Sequence, residues 1–234
     1  MPAEIENTGT VLVGLLSQVD ERDNLKALTI VRQLSSKCTI VLVDDQTASD
    51  TARPQQTKPI SLRRKRVLEG YAADLDLDLD VLVRETKQGL AELSARSADD
   101  IFILIQPLSA LDRQTLVFRQ LYRALSAMPN HVLYAPAGVS FSHQKVIIFS
   151  SHPDAIHSSL AKRFAGPNGI VEKLDLEKLS EIDLPQSKLR LDIQMRGPSM
   201  IVVDATAEDD LKAHFSRLAA TLSTPILVAT HRDS

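Results

Sequence analysis

The sequence predicts an α/β protein in which a mostly parallel sheet carries helices on both faces, and in which that arrangement is built twice. Three observations lead there. Short β-branched runs alternate with longer stretches whose apolar residues recur at helical spacing. The runs are continuously apolar rather than alternating, as strands covered on both faces are. The order of elements in residues 144–230 repeats that in residues 10–135, with the second copy trimmed between its second and third strands.

Taken in order, Thr10 to Val13 predict a first strand, and Leu25, Leu28, Val31 and Leu34 mark one face of a helix. Cys38 to Val43, bounded by Asp44-Asp45, predict a second strand. Residues 45–60 are polar, hold two prolines and show no period, which predicts a loop, with a helix from Ser61 opening on Arg63-Arg64-Lys65-Arg66. Asp74 to Asp80 alternate Asp and Leu and lead into Val81-Leu82-Val83, the pattern of a half-exposed edge strand. A helix near Lys87 to Arg96, a strand Ile101 to Ile105, a helix from about Ser109 to Ala127 with Leu116, Phe118, Leu121, Tyr122 and Leu125 as core, and a strand His131 to Tyr134 complete the first half. The second half predicts strands at Lys145 to Phe149, Gly169 to Leu174, Met200 to Val203 and Pro225 to Val228. Its helices fall at Pro153 to Phe164 and Glu208 to Leu222, and Leu189 to Ile193 alternate like the edge strand. The halves are 1–137 and 144–234.

Composition narrows the function classes. The 234 residues carry 27 basic and 30 acidic side chains, a net charge of −3, so no global field draws the chain to nucleic acid or membrane. With no tryptophan and 4 % aromatic residues, a base-stacking platform is not expected, nor is nucleic acid as a partner. A lone cysteine, Cys38, excludes an intrachain disulfide and a multi-cysteine zinc site. No apolar run reaches a membrane-spanning length, and the start MPAEIENTGT is no secretory signal, so a cytoplasmic protein, or one at the cytoplasmic face of a membrane, is expected.

Two further features are shared by a known family. Asp100 to Ile105 and Ser199 to Val203 each precede one long helix and a closing strand of the form small-Pro-apolar, Met128-Pro129-Asn130-His131-Val132-Leu133-Tyr134 and Ser223-Thr224-Pro225-Ile226-Leu227-Val228. In this order and length the chain resembles a tandem of universal stress protein domains. The resemblance implies two flavodoxin-like halves, each a mostly parallel five-stranded sheet, with Val132 to Tyr134 and Ile226 to Val228 pairing as an intramolecular pseudo-dimer. ATP-binding members carry a glycine-rich loop after the fourth strand, where backbone N–H groups approach phosphates. Residues 106–115 (QPLSALDRQT) and 204–210 (DATAEDD) have no glycine there, and Leu15-Leu16-Ser17 and Ser150-Ser151-His152 replace the family's aspartate at the end of the first strand. The chain also resembles the cytoplasmic C-terminal regions of some cation/proton antiporters, which are two degenerate domains of this type.

The expectation is a non-catalytic regulatory or sensing module, without cofactor, whose partners are a small nucleotide-like ligand or a membrane transporter, with homodimerisation open. The alternatives are the soluble regulatory domain of a cation/proton antiporter and an ATP-binding or ATP-hydrolysing stress protein. In open α/β sheets ligands bind at the carboxyl ends of the strands, which nominates Ser17, Val43, Asp44, Gln106 and Ser109 in the first half and Ser150, Ser151, His152 and Asp154 in the second. The Ser150 to Asp154 segment equally reads as a helix cap, and Arg63 to Arg66 as a solvated helix face or a contact for an anionic surface. Asp74, Asp76, Asp78 and Asp80 would share one strand face, as a charged edge or a weak cation site. Cys38 reads as an inert buried thiol.

Overall fold

The apolar runs form the strands. The computed structural model describes residues 9–15, 28–32, 34–44, 57–97, 100–107, 113–136, 145–150, 161–162, 164–175, 191, 193–206, 215, 218–219, 222 and 224–231. The chain divides into two units, Met1–Asn130 and His131–Ser234. Unit 1 contains β1 (Thr10–Leu15), β2 (Lys37–Asp44), α1 (Thr57–Asp74), β3 (Asp78–Glu85), α2 (Thr86–Ser94), β4 (Ile101–Gln106) and α3 (Leu116–Ala127). Unit 2 contains β5 (Val132–Pro136), β6 (Lys145–Ser150), β7 (Ile170–Asp175), β8 (Met200–Thr206) and β9 (Ile226–His231).

In unit 1 the strands lie in the order β3-β2-β1-β4, all parallel, and β3 is an edge of the sheet as its alternation predicts. Every residue of β1 and β4 is buried, so both faces are covered, and apart from the end residues Thr10 and Gln106 the side chains are apolar. Unit 2 has the order β5-β9-β8-β6-β7. Its strands β7, β6, β8 and β9 are parallel, while β5 runs antiparallel to β9, with Val132, Leu133 and Tyr134 opposite Val228, Leu227 and Ile226. These are the two closing strands of the sequence pattern.

Several helical boundaries differ from expectation. α1 begins at Thr57 rather than Ser61 and takes in Pro59, which sits in the first turn, where N–H groups have no intrahelical acceptor and a proline removes nothing. Asp74 closes that helix, and Asp76 adopts φ 54°, the left-handed position of a helix stop. Asp76 N donates to Ala73 O at 3.2 Å and Leu77 N to Ala72 O at 2.9 Å, a Schellman pairing sealed by buried Leu77 against buried Ala72. The aspartate alternation is therefore split between a helix end, a turn and a strand, and only Asp78 and Asp80 share a strand face. Residues 191 and 193–196 are helical, not extended. Two residues apart on a helix point to opposite sides, and Leu191 is 56 % exposed while Ile193 is fully buried. The stripe on α3 is Val117, Phe118, Leu121 and Leu125, with Thr115 Oγ1 accepting from Phe118 N as cap, and Leu116 is 67 % exposed rather than core. Of the expected loop 45–60, residues 57–60 are helical and 45–56 lie outside the described residues, as do the expected helical stretches 153–160 and 208–214.

Charge fixes one corner of unit 2. Lys145 Nζ lies 3.0 Å from Glu172 Oε2 and donates to Arg196 O at 3.1 Å, and Arg196 Nη1 meets Glu172 Oε1. The Lys145 hydrogen bond, reinforced by the two cationic charges, holds the Glu172 carboxyl below the usual glutamate value. A depressed carboxyl contributes stability above its unfolded value of about 4.5, and that contribution is lost as pH falls through the folded value. Glu172→Gln is expected to destabilise by about 0.5–1 kcal/mol at neutral pH, and denaturant titrations should show the gap to the parent closing on acidification below pH about 4.5. A gap that stays constant with pH would mean that the carboxylate charge contributes nothing.

Two helical glycines make an opposed pair. A Cβ on Gly70 of α1 would meet nothing within 4 Å, whereas one on Gly89 of α2 would come 2.9 Å from Val43 Cγ2. Gly70→Ala should stabilise by about 0.5–1 kcal/mol through helix propensity. Gly89→Ala should destabilise by about 1 kcal/mol, because overpacking against β2 outweighs the same propensity gain. Thermal unfolding of the two variants checks both signs.

Candidate functional site

The strand order β3-β2-β1-β4 sends successive connections to opposite sides of β1, so the crevice between the carboxyl ends of β1 and β4 is the topological switch point of unit 1. β4 delivers Gln106 there as its last residue. The side chain is wholly buried, and neither Nε2 nor Oε1 has a hydrogen-bond partner. A buried amide left unpaired costs about 1–3 kcal/mol per group, so such a residue is rarely retained for stability. Beyond it Pro107 is buried, and its carbonyl accepts from Arg113 Nε at 2.6 Å, which ties the segment after β4 back to the start of α3.

Of the other nominated residues, Val43 and Asp44 end β2 on the far side of β1. Val43 is buried with its Cγ2 methyl close over the backbone of Gly89, and Asp44 is half-buried and in register with Glu85 of β3. Ser150 ends β6 in register with Asp175. Ser17, Ser109, Ser151, His152 and Asp154 lie outside the described residues. Gln106, Val43 and Asp44 thus share one end of one sheet, with β1 between the glutamine and the other two.

A second concavity lies at the opposite end. The amino ends of β1, β2, β3 and β4 border a cavity of about 180 Å³ among Thr10, Lys37, Cys38, Thr39, Arg96 and Asp100. Arg96 Nη1 donates to Thr39 Oγ1 at 3.2 Å and Nη2 to Glu92 Oε1 at 2.9 Å. Burial pushes the Cys38 thiol up to about 12, so it is neutral and no nucleophile. The sequence pattern points away from these residues, because polar groups before a strand read as caps and turn formers. The one usable signal is the pairing of Gly9 before β1 with Asp100 before β4. Among the described residues no group of three or more His, Cys, Asp or Glu is placed to hold a metal.

No protein-family model matches the chain, and no curated protein sequence does. Solved structures do. A universal stress protein from Archaeoglobus fulgidus DSM 4304 superposes with a TM-score of 0.66 at 10 % identity, covering 98 % of each chain. A putative universal stress protein from Pseudomonas aeruginosa UCBPP-PA14 gives a TM-score of 0.55 at 14 % identity over 97 % of this chain and 94 % of that one. The cytoplasmic domain of a prokaryotic cation chloride cotransporter gives 0.50 at 11 % identity over 95 % and 96 %. The chain has the α/β fold of these proteins, with a mostly parallel sheet, and among the described residues no helix is long and apolar enough to cross a membrane.

Proposed function

We propose that the chain is a non-catalytic regulatory or sensing module of the universal stress protein type, made of two such halves (1–137 and 144–234) and lacking the phosphate loop. It acts in the cytoplasm, either free or at the membrane face. The observation that carries this reading is Gln106. A fully buried, unpaired amide at the switch-point crevice offers one donor and one acceptor side by side, the pattern that reads a nucleobase edge. The segment that follows, QPLSALDRQT, has no glycine to let a backbone cradle phosphates, and Pro107 itself has no N–H to donate. The ligand class this favours is a nucleotide held by its base rather than by a triphosphate, bound by Gln106 with Ser17, Asp44 and Ser109 around it and, in the second half, by Ser150, Ser151, His152 and Asp154.

A second reading is a soluble cytoplasmic regulatory domain of an ion transporter. The likeness to a cotransporter's cytoplasmic domain favours it, although the sequence suggested a cation/proton antiporter and the solved neighbour belongs to a cation chloride cotransporter.

Thermal unfolding of the full chain with cyclic dinucleotides, AMP, ATP with magnesium, and monovalent cations separates these. A site filled to 100 times its dissociation constant adds about 2.7 kcal/mol. Cyclic dinucleotides are expected to raise the midpoint, and ATP with magnesium to leave it unmoved. Gln106→Leu should raise the midpoint of the free chain, by relieving an unpaired amide, and abolish the ligand response. A shift with magnesium ATP would overturn the missing phosphate loop, and a response to monovalent cations would favour the transporter reading. No shift with anything would leave a protein-interaction scaffold.

A further inference from the structure

The charges of α1 and the chain around it fall into two blocks. Residues 51–68 hold six bases (Arg53, Lys58, Arg63, Arg64, Lys65 and Arg66) and no acid. Residues 67–83 hold five acids (Glu69, Asp74, Asp76, Asp78 and Asp80) and no base. α1 spans the junction, with no acid in its first turn and no base in its last. Both ends therefore oppose the helix dipole, which favours anions at the amino end and cations at the carboxyl end. The chain itself relieves little of this. Lys65 Nζ lies 3.8 Å from Glu69 Oε1, and Asp76, its side chain 99 % exposed, lies 4.0 Å from Arg32 Nη2. Arg66 and Asp74 have no charged partner among the described residues.

The outer side of the same helix is symmetric about one residue. Leu68 and Ala72 are buried, and Gly70, two residues from each, lies on the opposite side and is exposed. Arg66 stands four residues before Gly70 and Asp74 four after it, each about 6 Å along the axis, and both are exposed. A glycine inside a helix costs stability. Nothing within the chain requires this one: its φ is not in the left-handed region, and a Cβ on it would meet nothing within 4 Å. A cation and an anion thus flank an open, flat point at equal distances.

We propose that α1 pairs with the same helix of a second copy of this chain, antiparallel and about a twofold axis at Gly70. That operation sets Arg66 against the partner's Asp74 and Asp74 against the partner's Arg66, because both stand four residues from the axis. The bases before Arg66 run toward the partner's acids, so each dipole end meets charge of the opposite sign. Glycine at the axis lets the two backbones approach. The contact is isologous and closes at two copies. A long polyanion, whether nucleic acid or lipid surface, fits less well, because Asp74 stands only about 12 Å along the helix from Arg66, about one screening length. One helix crossing lies at the small end of specific interfaces, so the dimer is weak, in the micromolar range, and sensitive to salt.

Sedimentation equilibrium of the full chain over a range of concentrations tests this. The parent should pass from monomer to dimer, and raising salt from about 0.01 M to about 1 M, which shortens the screening length from about 30 to about 3 Å, should weaken the dimer. Arg66→Asp and Asp74→Arg should each weaken it about tenfold or more, since the twofold turns two attractions into two repulsions. One variant then carries only acid at the two positions and the other only base, so an equal mixture should associate. The double variant, with the charges exchanged, should dimerise as the parent does. Association of the mixture also shows that neither single variant has failed to fold. The proposal is overturned if the parent stays monomeric, if the single variants dimerise as the parent does, or if their mixture does not associate. Capture of a monomeric parent by phosphatidylserine vesicles would overturn it too, and would assign the basic half of α1 to a lipid surface.

Discussion

Burial of both faces of the central strands is the constraint from which the rest follows. β1 and β4 have no exposed residue, so between Thr10 and Gln106 at their ends their side chains are apolar, and their polar backbone is consumed in the ladder. Hydrogen-bonding chemistry is therefore displaced to the strand ends, where the ladder stops and the chain turns. Both concavities of unit 1 lie there, Gln106 at the carboxyl end and Thr39 with Arg96 at the amino end. The groups without partners at these ends are side chains on strands or beside them, held in place by the same burial that leaves them unpaired.

What the sequence makes legible follows the same division. Continuous apolar runs have one good solution, a doubly covered strand, and Thr10 to Val13, Cys38 to Val43, Ile101 to Ile105 and Met200 to Val203 all lie in strands. Short alternations have two solutions. In Leu189 to Ile193 the period fits a strand face, but Leu191 and Ile193 are helical, with Gly197 at φ 58° taking its N–H back to Ile193 O and Gln194 O. The pattern could not reveal that Leu191 is left exposed, because that depends on what packs above Ile193. The aspartate ladder misled for a related reason: Asp76 sits in a left-handed stop that glycine usually fills, so the helix end carries no glycine to announce it.

The sites divide in the same way. Gln106 was nominated from fold geometry alone, since the residue ending the strand beside a switch point is known once the order of strands is guessed. That its amide would be fully buried and unpaired was not legible, because this depends on how the neighbouring segments close over it. Arg96 and Asp100 could not be nominated at all. Each has an ordinary reading, as a helix-end cation or a turn carboxylate, and their place beside Thr39 at one cavity is a property of the register between β1, β2 and β4.

The two units resolve one electrostatic problem in different ways. An arginine half-buried beside the entrance of the sheet must be compensated, because a desolvated guanidinium facing unpaired groups is costly. In unit 2 compensation is intramolecular: Glu172 answers Arg196, and Lys145 balances the second carboxylate oxygen, so the corner is filled and rigid. In unit 1 Glu92 answers Arg96 through Nη2, Thr39 Oγ1 accepts from Nη1, and Nε is left without a partner. If stability alone had shaped this corner, the glutamate and lysine of unit 2 would be the obvious solution, one substitution at each of two positions away. Glycine and threonine stand there instead, and the corner is left as a cavity of about 180 Å³. The same register positions are thus closed by charge in unit 2 and left open in unit 1.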